Sequence, residues 1–159
     1  MNEIRIVLPD GSVSQCNQGI TIREIIASWK KEMLPSIVAA KLNNKPVDLS
    51  HPIGEPATIS LINIEAKEGL EILRHSISHV MAQAVKDLFD GVQITIGPSI
   101  EEGFYYDFDY GENFAPEDLA KIEERMREII DADYPFVREE MSRQEAISFF
   151  RGKGETYKV

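Results

Sequence analysis

A single cysteine, Cys16, stands in 159 residues, so no disulfide can form within the chain. It sits beside turn residues rather than next to a second candidate metal ligand, and a reducing compartment fits this usage. No apolar run approaches the roughly eighteen residues that cross a bilayer. The opening Met1-Asn2-Glu3-Ile4-Arg5 lacks the basic and apolar regions of a secretory leader, so the expected location is cytoplasmic, with no membrane partner. Basic side chains are scarce: 17 Lys and Arg face 27 Asp and Glu, for a formal charge of −10. That balance argues against holding nucleic acid by a broad positive patch, although a module tethered to a larger enzyme can leave the phosphate contacts to other parts. Repeats and low-complexity stretches are lacking as well. What is present, 43% hydrophobic and 28% charged residues, is a globular composition able to bury one moderate core or two small ones.

The first sixty-odd residues read as strand-rich. Ile4, Ile6 and Leu8 alternate with Glu3, Arg5 and Val7, and Pro9-Asp10-Gly11 supplies a turn before a second strand around Ser12 to Cys16. Thr21-Ile22-Arg23-Glu24 has the form of a capping box, and Ile22, Ile25, Ile26 and Trp29 follow at helical spacing. Ile37 to Leu42, Val47 to Leu49 and Thr58 to Ile64 read as three more strands, the last with Ile59, Leu61 and Asn63 on one face. The expected order is β-β-α-β-β-β. Residues 65 to 69 carry no large apolar side chain and are read as a linker.

Beyond the linker a helix is expected from about Leu70 to Phe89, with Leu73, Ile77, Val80, Met81, Ala84, Val85 and Leu88 forming its apolar stripe. Ile94 to Ile96 and Gly103 to Tyr110 read as strands, the second placing Phe104, Tyr106, Phe108 and Tyr110 on one face. Pro116 opens a helix with Leu119, Ile122, Met126, Ile129 and Ile130 inward. Phe136 to Met141 reads as another strand, and Ser142 to Glu145 repeats the capping-box pattern before a helix burying Ala146, Phe149 and Phe150. The last residues, 155 to 159, read as the beginning of a further element.

His75-Ser76-Ile77-Ser78-His79 places two of the three histidines one helical turn apart. A wheel centred on Ile77 puts both on the face opposite the stripe, beside Ala82 and Lys86. Three uses are open: solvent exposure, metal ligation, or acid/base chemistry. A zinc protease requires Glu directly after the first His, and that position is Ser76. A zinc site also needs a third ligand, and His51, Cys16 or an isolated carboxylate has no motif to recommend it. Gly152-Lys153-Gly154 lacks phosphate-loop spacing and reads as helix termination. The four aromatic residues read more simply as a packed sheet face than as a base-stacking platform, and Glu123, Glu124, Arg127 and Glu128 as a solvated helix face.

The stretch Gly69 to His79, the later Ile96-Gly97-Pro98, the Gly103-Phe104-Tyr105-Tyr106-Asp107 strand and the closing Gly154-Glu155-Thr156-Tyr157-Lys158-Val159 together resemble the N-terminal region of bacterial threonyl-tRNA synthetases. Leu8-Pro9-Asp10-Gly11 and the element order of the first half are similar to the TGS domain that begins those enzymes. The resemblance spans essentially the whole chain and implies an α+β fold. A β-grasp (ubiquitin-like) TGS domain would occupy residues 1–64, with a linker at 65–69. Residues 70–159 would form the first part of a tRNA-editing domain, stopping before that family's Cys-x-x-x-His motif.

The implied activity of the whole enzyme is ATP-dependent joining of threonine to tRNA(Thr), with hydrolysis of mischarged seryl-tRNA(Thr) at the editing site. The resemblance assigns His75, His79 and Lys158 to editing catalysis and Tyr106 to substrate binding, and it places no metal or cofactor within this chain. ATP, magnesium and zinc are implied only for the ligase core. The implied partner is tRNA(Thr), through its mischarged 3′ end, and the implied assembly is a homodimer formed by other domains. The segment alone is expected to be inactive. The alternative is a TGS-containing binding or regulatory module whose His pair is structural; a freestanding editing protein is disfavoured by the TGS half.

Overall fold

The computed structural model describes residues 2–135 and 137–159. The chain forms two compact units, Met1–Leu73 and Arg74–Val159.

In the first unit, β1 (Glu3–Val7) and β2 (Val13–Asn17) form the expected hairpin, with Gly11 at φ 82° in its turn. Only a residue without a β-carbon adopts that backbone freely. The Thr21–Glu24 capping box is formed in both directions and starts α1 (Ile22–Lys30). A 3-10 turn, Lys31–Ser36, leads to β3 (Ile37–Leu42). Asn43 and Asn44, both at positive φ, then reverse the chain into β4 (Lys45–Val47), two residues earlier than expected. With β5 (Ala57–Asn63), the sheet order is β2-β1-β5-β3-β4, and the central β1–β5 pair is parallel. Ile4, Ile6 and Leu8 pack with Ile22, Ile25 and Ile26 of α1, so the two periodicities read from the sequence meet in one core.

The pairing of β3 with β5 slips between Ile37 and Ala39. Ile62, rather than Asn63, is the buried residue at that end of β5. The extra residue is Val38 of β3, and it offsets the pairing of the two strands by one position.

Helix α2 runs Lys67–Leu88, so it begins inside the segment expected as a linker. Gly69 explains how. It is buried, and a β-carbon there would lie 1.9 Å from the Asn63 carbonyl oxygen, so the helix start sits directly on the end of β5. Lys41 reaches Glu68 at 2.6 Å across the same junction.

In the second unit, α3 (Pro116–Asp131) packs Ile122 and Ile129 against Ala84 and Val85 of α2. Arg125 links the pair on the solvent side, with Nε and Nη2 donating to Asp87 at 3.0 and 2.8 Å. Leu119 and Ile130, expected inward, are 65% and 55% exposed. The stripe of α3 is longer than the surface offered to it. On α2, Leu88, expected inward, is exposed, while Ser78 is buried and so is Ala82, expected on the outer face. Small side chains extend the packed face beyond the stripe that large residues mark.

The aromatic segment is broken into short pieces. β6 (Gln93–Ile94) pairs with β9 (Phe108–Asp109), and β7 (Ser99–Ile100) pairs with β8 (Gly103–Phe104). Ile96, expected in a strand, is exposed. The alternation nevertheless survives: Phe104, Tyr106, Phe108 and Tyr110 are partly buried, and Tyr105, Asp107 and Asp109 are exposed. No strand forms over 137–141, and Phe136 of that expected element lies outside the described residues. An extended segment without a neighbour leaves its backbone groups to water, in keeping with a Val137 that is 75% exposed. The Ser142–Glu145 capping box starts α4 (Arg143–Gly152), where Phe149, expected inward, is exposed.

Gly69→Ala is expected to destabilise the chain by about 1–3 kcal/mol, because the new methyl meets backbone that no rotamer change can move. This outweighs the roughly 1 kcal/mol of helix propensity that Ala contributes. Thermal unfolding checks the sign: an unchanged or higher midpoint would show that the helix start shifts freely.

Candidate functional site

Helix spacing brings His75 and His79 onto one side of α2, and their Nε2 atoms are 3.0 Å apart. The rings meet edge to face, with centroids 4.5 Å apart. A contact between two imidazole nitrogens requires one N–H and one lone pair, so one ring donates to the other and at most one of them is protonated. Both residues are exposed and within reach of a ligand.

Inside the turn that carries them, Ser78 is 0% exposed. Its hydroxyl lies 2.7 Å from the His75 carbonyl oxygen and 3.3 Å from that of Gly97. Gly97 lies in turn beneath Tyr106: a β-carbon at position 97 would be 2.0 Å from the Tyr106 Cδ2 atom. Tyr106 thus reaches the histidine turn through two successive contacts, and its burial raises the phenol pKa. Arg74, one residue before His75, donates to the Glu101 carbonyl at 2.6 Å and fixes the β7–β8 hairpin to the same helix.

Lys158 arrives from a 3-10 turn, Thr156–Lys158. The pKa of His79 is lowered, first by partial burial and then by the charges of His75 and Lys158, so the three cationic groups are close in space. The ordinary histidine value is about 6.5, and a lowered value keeps His79 neutral at pH 7. A neutral imidazole beside a fixed ammonium group offers a proton acceptor and a positive charge together. A cleft of about 400 Å³ opens next to His79, with walls from Val80, Ile129, Ile130, Tyr134 and Val137. A larger cavity, about 620 Å³, lies in the first unit and includes His51.

The structure therefore assembles His75, His79 and Lys158 and attaches Tyr106 to them through Ser78 and Gly97. Cys16 lies beside Ser14 in the first unit, at 3.3 Å. Among the described residues, no group of three or more His, Cys, Asp and Glu side chains gathers as a metal site would require. The sequence reading missed Ser78 and Gly97. A serine three residues after one histidine and just before the next falls on the inner face of the helix, which was the available signal.

Comparison with known proteins covers both units. Residues 4–63 match the TGS domain family. Over 159 residues the chain is 48% identical to a threonine-tRNA ligase of Citrifermentans bemidjiense, covering 100% of this chain and 25% of that protein. It is 49% identical over 156 residues to the threonine-tRNA ligase of Rhodospirillum rubrum and 46% identical over 156 to that of Symbiobacterium thermophilum, each match covering 98% of this chain and 24% of the relative. The chain spans about a quarter of the length of these curated relatives. No helix among the described residues is long and apolar enough to cross a membrane. A β-grasp sheet with a TGS match, followed by an α+β unit whose sequence continues the same relatives without a break, shows that the chain belongs to the threonine-tRNA ligase family and corresponds to its N-terminal part.

Proposed function

We propose that the second unit is the leading part of an editing domain, which in the whole ligase hydrolyses seryl-tRNA(Thr). The observation that carries this reading is the joining of the 3.0 Å imidazole pair with Lys158 at one side of α2. The chemical need is plain. Serine differs from threonine by one methyl, and a pocket shaped for the larger side chain rejects the smaller by only about 10–200-fold. A ligase therefore needs a second, hydrolytic site.

In this reading water attacks the carbonyl carbon of the seryl ester. The C–O bond to the terminal ribose breaks, the ribose oxygen leaves with a proton, and serine departs as its carboxylate. His79, held neutral, orients the water and accepts its proton. His75 fixes the tautomer of His79 through their shared hydrogen bond. Lys158 faces the negative charge that develops on the ester oxygen, and Tyr106 lines the wall that receives the aminoacyl end. ATP, magnesium and zinc belong to the ligase core of the whole protein, and tRNA(Thr), the homodimer and the cytoplasmic setting likewise belong to the full enzyme.

In the full-length ligase, His75→Ala is expected to slow seryl-tRNA(Thr) hydrolysis by about 100-fold or more, because His79 without its hydrogen-bond partner loses the usual contribution of a positioned base, with threonine attachment retained. An unchanged deacylation rate would remove the pair from the reaction. The 159-residue chain by itself, which lacks a Cys-x-x-x-His sequence, is expected to hydrolyse seryl-tRNA(Thr) no faster than buffer. Turnover at the rate of the full enzyme would show that this segment alone holds a complete site.

A further inference from the structure

Lys158 is an exposed lysine in a three-residue turn, and such a side chain does not stay near an imidazole pair without an anchor. The anchor begins where α4 ends. Gly154, at φ 71°, takes the left-handed conformation; its N–H donates to the Arg151 carbonyl at 3.1 Å, and the Glu155 N–H donates to the Phe150 carbonyl at 3.0 Å. These two bonds form a Schellman motif, which reverses the chain at a fixed angle. Glu155, the next residue, is 7% exposed, and its carboxylate pairs with Lys86. A carboxylate is withdrawn from water at this cost only when a cation receives it. Lys86 is seven residues beyond His79 on α2, two turns along the same side.

A second contact follows. The Tyr157 hydroxyl donates to Asp109 at 2.7 Å, tying the turn to β9. Just after these two ties the Lys158 N–H donates to the Glu155 carbonyl at 3.1 Å, and the Lys158 ammonium lies 5.7 Å from the centre of the Phe150 ring. The turn is thus held at two points, Glu155 and Tyr157, immediately before the residue that approaches His79.

We propose that Glu155, through its pair with Lys86, is a positioning residue that holds Lys158 beside His75 and His79, with the Tyr157–Asp109 bond as its second tie. The proposal rests on the editing reading only for what Lys158 does there; the placement is a separate claim. A buried carboxylate paired with Lys86 of α2 fixes the turn more firmly than an exposed hydroxyl can, so Glu155 carries the larger share. The segment Gly-Glu-x-Tyr-Lys then has one purpose for each residue: reverse, anchor, tie and deliver.

The test reads the protonation of His79 by NMR titration of the 159-residue chain. The groups facing His79 are His75 on its own helix, Lys158 from the turn, and Asp133 and Tyr134 after α3. Lys158→Met removes one nearby positive charge and is expected to raise the His79 pKa, which sets the scale. Glu155→Gln, which leaves Lys158 in the chain, is expected to reproduce most of that rise, and Tyr157→Phe a smaller part. Adding Glu155→Gln to Lys158→Met is expected to raise it no further. A merely structural role for Glu155 would lower the melting temperature without moving His79 toward the Lys158→Met value. His79 unmoved in Glu155→Gln, or unmoved in Lys158→Met, overturns the proposal. Should Glu155→Gln fail to fold, Lys86→Gln breaks the same pair from its exposed side, and a wild-type His79 pKa there overturns it equally. Failure of the editing reading would appear instead as retained deacylation in the full-length His75→Ala enzyme, a result this titration does not touch.

Discussion

Gly97 has no space for a side chain. Its backbone is covered by the ring of Tyr106, and its carbonyl faces the buried hydroxyl of Ser78. That three-layer contact sets the separation between α2 and the aromatic segment, and the arrangement of the second unit follows from it. Ser78 cannot be released cheaply, because a buried hydroxyl without partners costs about 1–3 kcal/mol. With the Gly97 carbonyl and the His75 carbonyl both within reach, the hydroxyl is satisfied, and the turn carrying both histidines is held by a polar contact from inside.

Around that pin, aromatic packing replaces a long strand ladder. Tyr106 stacks on Phe108 at 5.2 Å, Phe108 meets Phe114 edge on at 5.8 Å, and Phe114 stacks on Tyr110 at 5.5 Å and meets Phe89, just past the end of α2, at 5.1 Å. The hydrogen-bonded pairs flanking this chain are only two residues long. Between them the Asp107 carbonyl accepts from the Thr95 hydroxyl at 2.6 Å, and the Asp107 N–H donates to Ile96 at 2.9 Å, so the backbone is paired although its geometry is irregular. Side-chain alternation therefore outlasts regular strand geometry, because large rings tolerate an irregular backbone that a ladder does not.

Much of the first unit was legible from spacing alone. The Thr21 capping box, the Ile22, Ile25, Ile26 face and the alternation of Ile4, Ile6 and Leu8 are local signals that the tertiary structure keeps. The residues expected inward but found exposed share one cause. Leu119, Ile130 and Phe149 have the right period yet protrude, since periodicity states which face could be buried and not how much partner surface exists to cover it. Ser78 and Ala82 err the other way, because small residues enter a core unannounced. In the site, the His spacing was legible, while Lys158 and Tyr106 came from resemblance. Glu155 was not legible at all: a glutamate in a polar tail reads as solvated, and only a lysine presented from another element makes burying it worthwhile.

The electrostatics of the His pair depend on that remote pairing. Two imidazoles sharing a hydrogen bond at 3.0 Å cannot both be imidazolium, and the His79 pKa is lowered by partial burial and then by the charges of His75 and Lys158. Near neutral pH a neutral His79 thus stands beside the ammonium of Lys158. Lys86 would add another positive charge on the same side of α2, and its pairing with Glu155 neutralises it. The carboxylate thus acts twice: it anchors the turn that brings the needed cation in, and it cancels the cation that is not needed. A net charge of −10 spread over the surface does neither, since exposed charges more than about 10 Å away are screened in ordinary salt. Only a paired, buried carboxylate separates the two lysines into different roles.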